Sequence, residues 1–102
     1  MSQAQLFFGD EVAGGGMVTP AQWQEFVDTE ITPRYPGGFT IVTTNGQWRQ
    51  TGGGIVRESG HELVTVQSFS SIQKLNEIRD AYKRRFRQES VLLAISPVCA
   101  GF

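Results

Sequence analysis

The chain has 102 residues, of which 39% are hydrophobic, and a net charge of −1. This size supports one domain with one core, expected to span 1–102 with tails at 1–4 and 98–102, and the apolar content excludes a disordered chain. The longest apolar runs reach about five residues, whereas a membrane span needs ~20. No membrane span is therefore predicted.

A single histidine, His61, and a single cysteine, Cys99, limit the chemistry of one chain. They exclude a multi-histidine metal site and an internal disulfide, and no zinc-ligand spacing, dinucleotide-binding motif or serine nucleophile elbow is present. We therefore expect no metal and no cofactor, and the sequence assigns no role to His61 or Cys99.

The first five residues contain neither basic side chains nor a long apolar stretch, and a secretory signal peptide requires both. As given, the sequence predicts a cytoplasmic protein. A periplasmic or exported location is the alternative if a leader has been removed.

The first predicted strand covers residues 5–8 and ends at Gly9. The loop that follows, 10–18, contains three consecutive glycines. Such a segment fits either a plain linker or a mobile loop that closes over a ligand. It lacks the Lys and Ser/Thr that follow the glycines of a phosphate-binding loop.

The first helix is predicted to begin at Thr19, because Thr19 can cap it and Gln22 can complete a capping box. Pro20 fits the first turn, where its missing N–H costs nothing. Pro33 ends the helix, since proline disfavours helical geometry at the residue before it. Apolar residues at helical spacing define a buried face, formed by Trp23, Phe26, Val27 and Ile31.

The middle of the chain predicts an extended hairpin with a flexible tip at 50–54. Its strands are rich in β-branched and aromatic residues, and each is interrupted by a turn or bulge signal, at Asn45-Gly46 on the way out and at Ser59-Gly60 on the way back. The predicted extended segments are, in order, 39–43, 47–49, 55–58 and 61–69.

A second helix, capped by Ser70 with Gln73 three residues on, leads through a short polar connection at 88–90 into an apolar strand at 91–95. Its apolar residues recur at steps of three and four and form one face, made of Ile72, Leu75, Ile78, Tyr82 and Phe86.

The order strand, helix, strand, strand, helix, strand predicts an α+β fold, the ferredoxin-like split βαβ sandwich. Its antiparallel sheet carries both helices on one face. Apolar strand residues on the other face, such as Phe7 or Phe8, Val42, and Val64 or Val66, indicate that this face is covered by a second subunit or a ligand. A homodimer is expected.

Segments spread along the chain resemble those of a bacterial family known as domain of unknown function 3574. They are 6–9, Trp23 with Phe26, 31–37, 46–49, 55–58 and 82–92, so the resemblance extends from residue 6 to residue 102. It implies no particular activity, because the family has no established one. Members often carry an export or lipoprotein leader, which implies a periplasmic or cell-surface location.

Several charged and aromatic residues fall near predicted strand or helix ends, where the exit of the first helix and the hairpin can meet. Paired arginines can hold a carboxylate or phosphate, and an aromatic ring can supply a flat wall. The predicted ligand-binding residues are Arg34, Tyr35, Trp48 and Arg57. The candidates for general acid–base catalysis are Glu58, Tyr82 and Glu89.

Each of these residues also has a structural reading, in which arginines pair with nearby carboxylates and Trp48 is part of the core. The sequence therefore leaves three functions open: a self-associating binder of a small molecule such as an anion, a cofactor-free enzyme of the dimeric α+β barrel type, and a structural interaction module. Nucleic-acid binding is not expected, because the longest predicted strand, 61–69, has no basic residue and no aromatic residue before its last position.

Overall fold

The computed structural model describes residues 1–68 and 71–102, and for Trp48 the backbone alone. Four strands form one antiparallel sheet in the order β2-β3-β1-β4. The predicted ferredoxin-like α+β fold is confirmed. Its elements are β1 (Ser2–Gly9), α1 (Pro20–Phe26), a π-helical turn (Val27–Ile31), β2 (Thr40–Arg49), β3 (Ile55–Gln67), α2 (Ile72–Phe86) and β4 (Leu92–Pro97).

The core lies between the sheet and the helices, because alternate residues of β1 point towards the helices and are buried. These β1 residues are Ser2, Ala4, Leu6 and Phe8. Both predicted apolar helix faces are buried against them, with Trp23, Phe26, Val27 and Ile31 from the first helical segment and Leu75, Ile78, Tyr82 and Phe86 from α2. Ile72 is the exception, since it is 44% exposed.

The predicted capping box of α1 is confirmed. The backbone N–H of Gln22 donates to Thr19 Oγ1 at 3.1 Å, and Gln22 Oε1 accepts from the backbone N–H of Thr19 at 2.9 Å. The helix continues as the π-helical turn and ends ahead of Pro33, as predicted. The predicted cap at Ser70 and the predicted strand end at Phe69 lie outside the described residues.

Three predicted boundaries are wrong. β1 begins at Ser2, so residues 2–4, expected in a tail, pair with both neighbouring strands. Neither Asn45-Gly46 nor Ser59-Gly60 interrupts its strand, because Gly46 pairs with Glu58 and Gly60 pairs with both Gly9 and Thr44. Gly60 instead allows β1 and β3 to approach closely, because a Cβ at position 60 would overlap the backbone carbonyl of Phe8.

The face of the sheet away from the helices, called here the sheet face, is partly apolar. Directly paired residues share a face, so the register places Val42, Glu62, Phe7 and Leu92 side by side across the four strands. Val42 is 42% exposed and Leu92 is 62% exposed, as is Val66 at 38%. In the described parts of the chain, no helix is both long and apolar enough to cross a membrane.

Candidate functional site

A cavity of about 630 Å³ lies at the end of the sheet where β1 stops, on the side of the sheet face. We call it the Gly9 cavity, since Gly9 ends β1 and pairs there with Gly60. Strand ends, the glycine-rich loop and the link between α2 and β4 all contribute to it. Its lining is formed by Phe7, Phe8, Gly9, Glu11, Val12, Ala13, Thr44, Asn45, Gly46, Glu58, Ser59, Gly60, Arg87, Gln88, Glu89, Ser90 and Leu92.

The glycine-rich loop folds back on itself beside this cavity. The backbone N–H of Val18 donates to the Asp10 carbonyl at 2.7 Å, and that of Val12 donates to the Gly16 carbonyl at 3.0 Å. Three consecutive glycines with positive φ, at 88°, 113° and 92°, make the reversal. The loop is thus a small hairpin whose Val12 and Ala13 line the cavity.

Tyr82 supports the cavity floor from within the core. Its hydroxyl donates to the Gly9 carbonyl at 2.6 Å, and its ring is fully buried. Burial raises the pKa of the Tyr82 phenol far above its usual value, and the nearby charges of Asp10 and Glu58 raise it further. The phenol therefore stays protonated at neutral pH and holds Gly9, and it is not one of the lining residues.

Glu58 is the carboxylate set most closely against the floor. Its carboxyl group occupies the space that a Cβ at Gly9 would need, so a larger residue at position 9 would displace the end of the Glu58 side chain. Burial raises the pKa of Glu58, with a second contribution from the charge of Glu11 and a smaller one from Asp10. Protonation of this half-buried carboxyl is thus easier than for a carboxyl in water.

Behind the lining, Asp10 contacts two polar side chains, and an aromatic ring packs on one of them; sequence reasoning did not connect these residues. Ser59 Oγ donates to Asp10 Oδ2 at 2.8 Å, and His61 Nε2 lies 3.4 Å from Asp10 Oδ1. The His61 ring stacks on Trp23 with 4.1 Å between centroids. Burial lowers the pKa of His61, and the Asp10 carboxylate opposes part of that shift.

The outer rim of the cavity is formed by the end of α2. Arg87 caps the helix in the left-handed conformation, with φ 49° and ψ 47°, and its side chain is exposed. Gln88 Nε2 donates to the Glu11 carbonyl and ties the rim to the glycine-rich loop. Glu89, also exposed, follows directly.

A second cavity of about 580 Å³ lies towards the opposite end of the sheet, and we call it the Arg34 cavity. Tyr35 lines it and donates from its hydroxyl to Gln67 Oε1 at 2.7 Å; burial raises the pKa of this phenol. Lys74 Nζ lies 5.6 Å from the Tyr35 ring centroid. Arg34 is held by Glu30 at 2.9 Å and by Glu77 at 3.4 Å.

The structure therefore divides the residues that the sequence placed in one cluster. Arg34 and Tyr35 line the second cavity, while Glu58 and Glu89 line the first. Tyr82 lies behind the first cavity.

Arg57 lines neither cavity and donates to Gln47 Oε1 at 3.1 Å on the hairpin. Val64 lines the Arg34 cavity, and Arg57 lies seven residues before Val64 on the continuous strand β3. Arg57 is therefore ~23 Å from that cavity along the strand. The expected pairing of Arg34 with Arg57 within one chain is wrong for this reason. The side chain of Trp48 lies outside the described parts of the chain.

Sequence reasoning missed the residues that build the Gly9 cavity around Glu58. Asp10 and Glu11 follow the first strand directly, and Arg87 and Gln88 follow the second helix. These residues could have been found from their position directly after a strand or a helix, because the ends of strands and helices meet at the edge of a sheet. Ser59-Gly60 was predicted to interrupt the strand, and for that reason these two residues were not placed beside Gly9, where they lie in the middle of β3.

The model of a family described as protein of unknown function DUF3574 matches residues 3–102. The chain belongs to this family. The match covers both helices and all of the sheet except Ser2 at the start of β1, in agreement with the resemblance seen in the sequence. A search of curated proteins found no similar sequence.

Solved structures with a similar fold include a phage S-adenosylmethionine (SAM) lyase in complex with S-methyl-5'-thioadenosine. The two chains are 21% identical, with a TM-score of 0.66, and the match covers 93% of this chain and 79% of that one. The periplasmic divalent cation tolerance protein CutA from Archaeoglobus fulgidus is 11% identical, with a TM-score of 0.62, and the match covers 100% of this chain and 88% of that one. At these identities the likeness concerns the fold.

Proposed function

We propose that this domain binds a small organic cation in the Gly9 cavity. The observation that carries the proposal is the charge of the lining. Among the described residues, its charged side chains are the carboxylates of Glu11, Glu58 and Glu89 and the single guanidinium of Arg87. Asp10 adds a further carboxylate immediately behind Ser59. A positive ligand is attracted to such a lining and an anion is repelled.

The size of the cavity also fits a small molecule. Its volume of about 630 Å³ lies within the ~300–1,000 Å³ of typical small-molecule sites. Phe7, Phe8 and Leu92 supply apolar surface beside the carboxylates. An aromatic or aliphatic body with one positive centre matches this combination.

The fold-related phage lyase, described in complex with S-methyl-5'-thioadenosine, suggests a suitable pair of probes. S-adenosylmethionine carries a sulfonium, whereas S-adenosylhomocysteine is the neutral thioether that lacks only the methyl group. Comparison of the two isolates the effect of the positive charge.

Isothermal titration calorimetry tests the proposal with these two probes. We expect wild type to bind the sulfonium at least about tenfold more tightly than the thioether, which corresponds to ~1.4 kcal/mol. Glu58→Gln should reduce that preference while keeping the side-chain shape. Glu62→Gln is the matched control, because Glu62 lies on the same strand and face but outside the lining.

Equal affinity for the two probes, or a sulfonium preference that is undiminished in Glu58→Gln, contradicts the proposal. Absence of binding by either probe contradicts it for this class of cation. The structural interaction module then becomes the preferred function.

The enzyme alternative now depends on Glu58 and Glu89, since Arg34, Arg57 and Tyr82 do not line the same cavity. The raised pKa of Glu58 favours a general-base role, because a base is most effective when its pKa lies close to the working pH. Chromatography of S-adenosylmethionine incubated with the protein tests this alternative. Appearance of S-methyl-5'-thioadenosine with wild type and not with Glu58→Gln would establish turnover.

The anionic ligand predicted from the pair Arg34 and Arg57 has a candidate place in the Arg34 cavity, which Arg34 and Tyr35 line without Arg57. Among the described residues of that lining, the charged side chains are Arg34 and Lys74, both cationic. Inorganic phosphate is the probe, and it should raise the melting temperature of wild type but not of Lys74→Gln. An equal shift in both proteins contradicts binding at this cavity.

Self-association through the sheet face is proposed alongside the binding site. Four strands spaced ~4.8 Å apart and eight residues long span about 500 Å², so two copies bury about 1,000 Å², the lower bound of a stable interface. Exposed Val42, Val66 and Leu92 supply the apolar centre. Sedimentation equilibrium should give a multiple of the 11.3 kDa chain mass, and a monomer contradicts the proposal.

A further inference from the structure

The β2–β3 hairpin extends well beyond the rest of the sheet. β1 stops at the Gly9–Gly60 pair, and β2 and β3 continue as a two-stranded ribbon from Asn45–Ser59 to Arg49–Ile55. We call residues 45–59 the arm; its five paired positions span ~17 Å. The radius of gyration, 14.4 Å, exceeds the ~13 Å expected for a compact chain of this length. The arm contributes to this elongation.

An isolated two-stranded ribbon is marginally stable in water, and the arm exposes groups suited to an interface. Ile55 is 54% exposed. Arg49 and Arg57 are exposed as well, and Arg57 donates to Gln47 within the arm itself. The distal part of the arm is therefore a basic, partly apolar surface.

The Gly9 cavity has the opposite charge, with Glu11 and Glu89 exposed at its mouth. β2 and β3 stay paired in continuous register to Arg49–Ile55, so the distal part of the arm leads away from the cavity of its own chain. Arg57 neighbours Glu58 in the alternation of the strand and lies on the opposite face. Only the base of the arm, at 45–46 and 58–59, lines that cavity. The complementary acidic surface must be offered by another molecule, and the sheet face beside the cavity offers room for a second copy.

We propose that the arm of one copy reaches the Gly9 cavity of a second copy, where Arg57 pairs with Glu89 at the mouth. The inference rests on the proposed function, since the same cavity is the proposed binding site. Arg57, predicted from the sequence as a ligand-binding residue, then contributes to the Gly9 cavity of the second copy. A bound ligand is enclosed between the cavity and the incoming arm, so ligand binding and self-association strengthen each other.

Disulfide trapping between chains tests the contact directly. In a Cys99→Ser background, Arg57→Cys and Glu89→Cys are made as separate proteins, mixed, and mildly oxidised. We expect a disulfide-linked heterodimer from the mixture. Arg84→Cys, at an exposed position of α2, replaces Arg57→Cys as the control and should not link to Glu89→Cys. No link in the first mixture, or equal linking in both, overturns the proposal.

A charge swap gives a second, independent measurement. Arg57→Glu alone and Glu89→Arg alone should each raise the dissociation constant of self-association at least about tenfold, and the double variant should restore it to within about threefold. Circular dichroism confirms that each variant is folded. Unchanged association in Arg57→Glu overturns the proposal, as does a monomeric wild type.

The two proposals fail in distinguishable ways. Calorimetry on wild type with S-adenosylmethionine, combined with the trapping result, separates them: trapped arm contacts without sulfonium binding leave the arm proposal intact and refute the ligand class. Sulfonium binding by wild type with no trapped contact refutes the arm proposal and leaves the cavity as the binding site.

Discussion

Replacement of Tyr82 by phenylalanine removes a single hydroxyl from the junction between the core and the Gly9 cavity. The hydroxyl donates to the Gly9 carbonyl at 2.6 Å. The ring is packed by Phe8, Phe26 and Phe86, with centroid distances of 4.8, 5.1 and 4.9 Å. Since phenylalanine keeps the ring, the variant tests the hydrogen bond alone.

The expected loss of unfolding free energy is about 1–2 kcal/mol. A typical hydrogen bond contributes ~1 kcal/mol net, and an acceptor left without its donor adds a desolvation cost of ~1–3 kcal/mol when it is buried. Gly9 is half-exposed, so water can satisfy part of its carbonyl and the lower part of that range applies. For a domain of this size the melting temperature should fall by roughly 4–8 °C per kcal/mol.

Urea unfolding, followed by the fluorescence of the buried Trp23, measures this free energy at pH 7 and above pH 10. The folded state raises the pKa of Tyr82 and therefore favours the protonated phenol. The contribution of Tyr82 to the unfolding free energy is fully present below pH ~10 and is lost as the pH rises further. The difference between wild type and Tyr82→Phe should therefore shrink at high pH.

A loss below about 0.3 kcal/mol, or a difference that does not change above pH 10, would refute this account of the Tyr82–Gly9 bond. Tyr82→Ala separates the ring from the hydroxyl, because the loss of a buried aromatic side chain costs about 3–5 kcal/mol. The affinity of Tyr82→Phe for S-adenosylmethionine should also fall, since Gly9 forms the cavity floor.

Three further perturbations test other parts of the structure. Burial lowers the pKa of His61, although the Asp10 carboxylate opposes part of that shift. The contribution of neutral His61 to the unfolding free energy is therefore present above pH ~6.5 and is lost as the pH falls below that value. His61→Gln should flatten the decline in unfolding free energy between about pH 7.5 and 5. Gly60→Ala should cost about 1–3 kcal/mol, because its Cβ meets the Phe8 carbonyl, and no loss in denaturant unfolding would contradict this contact. Thr19→Ala should lower the melting temperature by an amount equivalent to about 1 kcal/mol, through loss of the helix cap; an unchanged temperature would rule out the capping box.

The architecture was predictable because its signals are local and repeat along the chain. The capping box at Thr19 needs residues only three positions apart, and the buried face around Leu75 and Ile78 needs only helical spacing. These signals establish element types and their order, and the order of elements is enough to indicate the split βαβ sandwich.

The site was less predictable because its parts come from distant segments. Gly46 and Gly60 were interpreted as breaks, since local reasoning treats glycine in a strand as an interruption. In the folded sheet Gly60 instead permits the approach of the Phe8 carbonyl, a contact 52 residues away in sequence. Strand register decides which charged residues meet, and register is set by pairing across the whole sheet. The grouping of Arg34 with Arg57 failed for that reason.

The left-handed backbone of Arg87 sets the stability of the fold against the charge of the cavity rim. A residue with a Cβ at φ 49° costs ~1–2 kcal/mol relative to right-handed helical geometry, and glycine would relieve most of that cost. The same replacement would remove the one guanidinium from the charged groups described in the lining. Arg87→Gly should therefore stabilise the fold by up to about that amount, and it would leave a lining whose described charged side chains are all carboxylates.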